Sequence, residues 1–126
     1  MSQTLTVAAA QFASHIGDPD ANFEEHHVWV AEARKAEADV LVFPELSLAG
    51  HYGAERLLDI TMKRNDPRLL ALSRAAGETI LVVGFIEEGP AAQFYNAAGV
   101  YKGGRCIYLH RKINLPSYGK LIETKY

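Results

Sequence analysis

Two charged residues stand at the ends of apolar segments, where a folded chain can aim them into a cleft. Glu45 follows Val42-Phe43-Pro44, and Lys112 closes the run Cys106-Ile107-Tyr108-Leu109-His110-Arg111. A carboxylate partly desolvated beside an apolar strand holds its proton more tightly and suits general-base work near neutral pH. A lysine leaning from a strand end can stabilise negative charge that develops in a transition state. Taken singly, each has a blander reading: Glu45 as a helix cap or surface ion pair, Lys112 as a solvated ammonium. Glu123 is a further carboxylate near residue 126. Cys106, the single cysteine, has neither a helix N-terminus nor a glycine elbow beside it to lower its pKa. It is expected to be a small core residue rather than a nucleophile. His26 and His27 are adjacent on a helix and point apart, and His15, His51 and His110 are scattered, so no metal site is expected. Ala13-Ser14-His15-Ile16-Gly17 has one glycine where a phosphate-binding loop needs several.

The elements that must position these residues alternate in type. Residues 5–12 read as a buried strand. Asp18-Pro19 supplies an N-cap and a first-turn proline for a helix over 19–37, with Phe23, Val30 and Ala33 on its inner side. Residues 38–43 form a second strand that Pro44 stops. Residues 50–53 read as a loop and 55–62 as one or two helical turns. Asp66-Pro67 repeats the helix start, with Leu69, Leu72 and Ala76 at helical spacing before Gly77. Residues 79–87 are a buried strand. Residues 94–101 and 105–111 form an antiparallel pair joined at Lys102-Gly103-Gly104, where the glycines accept positive φ. After Lys112 the chain is expected to be irregular. Strands apolar on both sides need cover on both faces, and the two firm helices can cover only one. The fold class is therefore α/β, and the chain is expected to be half of a layered sandwich.

Composition sets bounds on this reading. A chain of 126 residues, 48% hydrophobic and 22% charged, suits one domain with one modest core. A net charge of −2 recommends neither nucleic acid nor a membrane surface as partner. The apolar runs are strand-sized, far short of the ~20 residues a membrane span needs. The N-terminal residues lack the pattern of a secretory signal, and one cysteine allows no intramolecular disulfide, so a cytoplasmic location is expected.

Four segments stand in order along the chain: Ala38-Asp-Val-Leu-Val-Phe-Pro-Glu-Leu-Ser-Leu-Ala-Gly50, then Val82-Val-Gly-Phe85, then Tyr95-Asn-Ala-Ala98, then His110-Arg-Lys-Ile-Asn-Leu-Pro116. Together they resemble the nitrilase superfamily of carbon–nitrogen hydrolases. The resemblance runs through essentially the whole chain. It implies the first half of a four-layer α-β-β-α sandwich, with residues 1–126 as a single incomplete domain that ends before the family's nucleophilic cysteine. It also implies covalent catalysis, with Glu45 as the base that deprotonates a cysteine and Lys112 as the stabiliser of the tetrahedral oxyanion. Glu123 stands in a plausible place for the family's second glutamate. His51 and Tyr52 fall where family members line the substrate pocket, although Gly50-His51-Tyr52 departs from the usual Gly-Tyr by one inserted histidine.

The implied substrate is a small molecule with an amide, N-carbamoyl or nitrile group, including glutamine where a synthetase is attached. No metal or organic cofactor is implied, and homo-oligomers are expected. Two rivals come from other classes. One is a truncated or non-catalytic homologue that only binds or pairs with another subunit. The other is a nucleotide-binding α/β domain, which the missing glycine-rich loop disfavours.

Overall fold

The computed structural model describes residues 3–50, 57–113, 117–118 and 121–122. Strand β1 (Val7–Ala9) leads through a loop to helix α1 (Pro19–Lys35), then β2 (Val40–Val42). A one-turn helix α2 (Leu57–Ile60) runs directly into β3 (Thr61–Met62), followed by α3 (Pro67–Ala75) and the long β4 (Ile80–Glu88). A 3-10 turn (Pro90–Ala92) connects β4 to β5 (Phe94–Lys102), which pairs with β6 (Arg105–Arg111); β7 (Ser117–Tyr118) and β8 (Leu121–Ile122) make a small separate hairpin.

Helices α1 and α3 begin as their sequences require. The Asp18 carboxylate accepts from the Ala21 N–H at 3.1 Å, and the Asp66 carboxylate accepts from the Arg68 N–H at 2.9 Å. Each cap satisfies an amide that the first turn leaves orphaned, and a proline follows where its missing N–H does no harm. Helix α1 stops two residues earlier than its pattern suggested, because Glu37 adopts a positive φ of 54°.

The main sheet runs β1-β2-β4-β5-β6, with β3 alongside the far end of β4. Strands β1, β2, β3 and β4 are parallel, β5 runs antiparallel to β4, and β6 runs antiparallel to β5. The β5–β6 turn uses Gly103 and Gly104 at φ of 60° and 79°, a conformation that most L residues resist. Leu41, Leu81, Val83, Phe85 and Tyr101 point to one face and pack against Phe23, Val30 and Ala33 of α1 and Leu69 and Leu72 of α3. This is the core. The other face carries Val40, Val42, Ile80, Val82 and Val100, all half-buried, with Val7 and Tyr108 exposed. Among the described residues, no helix covers that second face as α1 and α3 cover the first.

Several expectations need correction. The first strand is three residues long and lies at the sheet edge rather than buried; the Ala10 N–H makes a last bond to the Val42 carbonyl at 2.9 Å, and Phe12 turns to pack on Trp29 and His26. Residues 61–62, expected in a helical turn, form a strand beside β4. The chain after Lys112 contains a short hairpin where irregular structure was expected. Cys106 is only half-buried, packed against the core from β6 at the end of the sheet, and a register shift near Tyr101 leaves the next residue, Ile107, exposed. The expected loop at 50–53 and the start of the turn at 55 lie largely outside the described residues.

Candidate active site

Proline stops β2 and sends residues 44–50 across the uncovered face of the sheet, over Gly84 of β4. The loop lies so close that a Cβ on Gly84 would stand 2.5 Å from the Leu46 nitrogen and 2.6 Å from the Pro44 oxygen. A glycine inside an otherwise apolar strand signals such a close approach of backbone. The loop is a tight turn. The Ser47 N–H donates to the Pro44 carbonyl at 3.1 Å, the Gly50 N–H to the Leu46 carbonyl at 2.8 Å, and the Leu48 N–H to the Gly84 carbonyl at 3.0 Å. Leu46 takes a φ of 51°, a conformation that costs a non-glycine residue about 1–3 kcal/mol and persists only when its surroundings enforce it. Leu46 itself is fully buried with Ala49, Ile60 and Ile86, which supplies that enforcement.

Glu45 projects from this turn and meets Lys112, the residue just after β6. The Lys112 ammonium stands 2.6 Å from Glu45 Oε1. The same oxygen accepts from the side-chain amide of Asn96 at 3.0 Å. Asn96 also anchors the lysine, because its carbonyl accepts from the Lys112 backbone N–H at 2.8 Å. One residue of β5 thus fixes both partners, 51 residues from one and 16 from the other in sequence. The three side chains border a cleft of about 380 Å³ whose walls include Val42, Val82, Ala98 and His110. A second cleft of about 360 Å³, lined by Phe12, Ser14 and Ile16, reaches the other side of Glu45. Apolar walls with a few converging polar groups are the usual make-up of a small-molecule site.

Beneath the turn lies a buried polar layer from α1. Asn22 accepts from the His15 N–H at 2.7 Å and donates to the carbonyls of His15 and Leu48 at 2.8 and 2.9 Å. His26 contacts the Asn22 carbonyl and the Ser47 hydroxyl. The Ser14 hydroxyl donates to the Ser47 carbonyl at 2.7 Å.

Of the residues singled out from sequence, Glu45 and Lys112 come together and Cys106 does not join them. Cys106 faces the helix side of the sheet, and its thiol contacts the Tyr108 carbonyl at 3.4 Å. Glu123, His51 and Tyr52 lie outside the described residues. Among the described residues, no group of three or more His, Cys, Asp or Glu is placed to hold a metal ion, and no helix is long and apolar enough to cross a membrane. Sequence reasoning passed over Asn96 and the Asn22–His26 layer. The second left a trace, since polar residues at 22 and 26 share a helical face with Val30 and Ala33 and so stand at core positions.

Comparison with known proteins bears on the family and the fold. A glutamine-dependent NAD(+) synthetase of Acinetobacter baylyi is 31% identical over 124 residues, covering 98% of this chain but 23% of the relative. The structure of a glutamine-dependent NAD+ synthetase from Acinetobacter baumannii superposes with a TM-score of 0.79 at 37% identity, over 95% of this chain and 23% of that one. An N-terminal amidase crystallised with an Asn-Glu-Ala peptide shares the fold, with a TM-score of 0.78 at 22% identity over 97% of this chain and 30% of that one. The chain therefore spans about a quarter of the length of these relatives, and its α/β fold is that of an N-terminal portion of nitrilase-like structures. The sequence model of the carbon–nitrogen hydrolase family matches residues 6–126, and the chain belongs to that family.

Proposed function

We propose that this chain carries the base and the oxyanion-stabilising lysine of a cysteine-dependent amide hydrolase that acts on the side-chain amide of glutamine or a similar ω-amide. The observation that carries the reading is the 2.6 Å pairing of Glu45 with Lys112 at the wall of an apolar cleft, with Asn96 holding both. The preference for glutamine rests on two glutamine-dependent relatives at 31% and 37% identity.

In this reading a thiol from outside residues 1–126 enters the cleft, and Glu45 takes its proton. The thiolate attacks the amide carbon, forming a C–S bond and an oxyanion that the Lys112 ammonium stabilises. The C–N bond then breaks, the proton on Glu45 passes to the leaving nitrogen, and ammonia departs. Water attacks the thioester with Glu45 again taking a proton, which releases the carboxylic acid and restores the thiol. Cys106 faces the wrong side of the sheet for this role. Residues 1–126 accordingly form an incomplete domain, inactive alone, whose open sheet face is completed by further sequence or by a partner subunit in a cytoplasmic oligomer. Glu123, His51 and Tyr52 keep their proposed places as second glutamate and pocket residues.

The test is ammonia release from glutamine and from simple primary amides by the intact gene product. Wild type should turn over glutamine. Glu45→Gln, checked for folding by circular dichroism, should lose about 10²–10⁴-fold in kcat. Undiminished turnover in that variant would remove Glu45 as the base, and no release from any primary amide would remove the substrate class.

A further inference from the structure

The turn that presents Glu45 is fastened from below by a histidine that takes no part in the proposed reaction. His26 is fully buried in the middle of α1. Its Nδ1 stands 2.5 Å from the Asn22 carbonyl oxygen, and its Nε2 stands 2.8 Å from Ser47 Oγ. A carbonyl can only accept, so Nδ1 must carry the ring proton. In the neutral ring Nε2 is then an acceptor, and the Ser47 hydroxyl must donate to it. That hydroxyl has a single proton and a weaker alternative in the Gly84 carbonyl at 3.4 Å. The ring cannot swivel to offer anything else, because it is stacked on Phe43 at 4.1 Å and meets Phe12 edge-on at 5.5 Å. Ser47 is thus held through its hydroxyl by His26, through its carbonyl by Ser14 and through its N–H by Pro44. It lies two residues after Glu45, next to the left-handed Leu46.

We propose that His26 is a positioning residue for Glu45: its Nε2, fixed as an acceptor, latches Ser47 and so holds the turn at Leu46 that brings the carboxylate to Lys112. The importance of this latch for catalysis rests on the reading of Glu45 as the base, but the latch itself does not. Burial among Phe12, Phe23 and Phe43 supports it by lowering the pKa of the ring from 6.5 to about 4, against the opposing effect of the Asn22 bond. The acceptor form therefore persists through the neutral range.

The two nitrogens can be separated by amide substitutions. Glutamine at position 26 reaches far enough to offer Ser47 a carbonyl acceptor near the place of Nε2. Asparagine imitates only the Nδ1 side and leaves Ser47 without its acceptor. On the full 126-residue chain, three readouts apply. They are the nitrogen NMR shifts of the His26 ring, the hydrogen exchange of the Leu48 amide, and the rate at which an amine reagent labels Lys112 relative to exposed Lys35. Wild type should show a protonated Nδ1 and an unprotonated, hydrogen-bonded Nε2. His26→Asn should raise Leu48 exchange and Lys112 labelling by about fivefold or more, and His26→Gln should stay within about twofold of wild type. A proton on Nε2 in the wild type would overturn the proposal even if neither variant folds. Equal behaviour of the two variants, whether both intact or both loosened, would also overturn it, because the role would then be packing. None of these readouts needs turnover, so a failure of the proposed reaction would leave them unchanged.

Discussion

Two carboxylates near the same end of the sheet sit on opposite faces in opposite surroundings. Glu87, on the helix side of β4, is 2% exposed and is gripped by Arg111 at 2.7 and 3.3 Å and by Arg64 at 3.3 Å. Arg111 in turn stacks on the Tyr95 ring at 4.0 Å. Glu45, on the other face, is 45% exposed at the mouth of a cleft, where the Lys112 ammonium and the Asn96 side-chain amide hold it. Guanidinium forks that close over a buried carboxylate fix it and keep reactants out. A lysine and an asparagine orient a carboxylate while leaving it open to a molecule in the cleft. Closeness to a cation does not distinguish a structural acid from a reactive one here. Access does.

The comparison breaks most visibly on activity. In the intact protein, Glu45→Gln should lose about 10²–10⁴-fold in kcat, and Lys112→Met about 10²–10³-fold. Glu87→Gln should leave the kcat of the folded fraction unchanged and instead lower the unfolding free energy read from urea titration by about 1–3 kcal/mol, for the lost charged hydrogen bonds. If Glu87→Gln abolished turnover without unfolding, the division between the two faces would be wrong.

The buried layer under Glu45 should show in the pH dependence of stability. His26 binds a proton below pH 6.5 when unfolded but only near pH 4 when folded. Between those values the unfolded chain holds more protons. The stability contributed by the neutral ring is therefore complete above pH 6.5 and is lost as pH falls towards 4. The full effect is about 3 kcal/mol. As the pH falls from 7 to 4, the urea midpoint of wild type should drop relative to that of His26→Gln, and parallel curves would contradict the buried neutral ring.

Gly84→Ala addresses the packing between loop and sheet. Its Cβ would press on the backbone of Pro44 and Leu46, which cannot swing away as a side chain could. A loss of about 1–3 kcal/mol is expected, together with weaker Glu45–Lys112 pairing seen as faster labelling of Lys112. The smallest effect concerns the open face. Tyr108, 62% exposed beside Val100, should promote self-association, and Tyr108→Lys should shift sedimentation towards smaller species without altering the site.

Much of this architecture was legible from local signals. Asp18-Pro19 and Asp66-Pro67 start helices because the cap and the proline act within three residues of each other. Gly103-Gly104 marks the β5–β6 turn because positive φ is a local demand. The meeting of Glu45 and Lys112 was expected from the strand ends and the family-like segments around them. Asn96 was harder to read, because a polar residue inside a strand does not reveal which distant atoms it will reach. His26 was harder still, since its acceptor role depends on Ser47, 21 residues away, and on a stack with Phe43. The edge position of β1 was illegible because an apolar run of eight residues looks the same whether it pairs along three residues or all of them.

The central claim is that the cleft face, not the helix face, hosts an acyl transfer driven by Glu45. Incubating the intact protein with an electrophilic glutamine analogue, then mapping the modified peptide by mass spectrometry, tests it most directly. The account predicts labelling at a cysteine other than Cys106, at a rate reduced by about 10²-fold or more in Glu45→Gln and unchanged in Cys106→Ala. Labelling of Cys106 faster than free cysteine, or equal labelling with and without the Glu45 carboxylate, would contradict it.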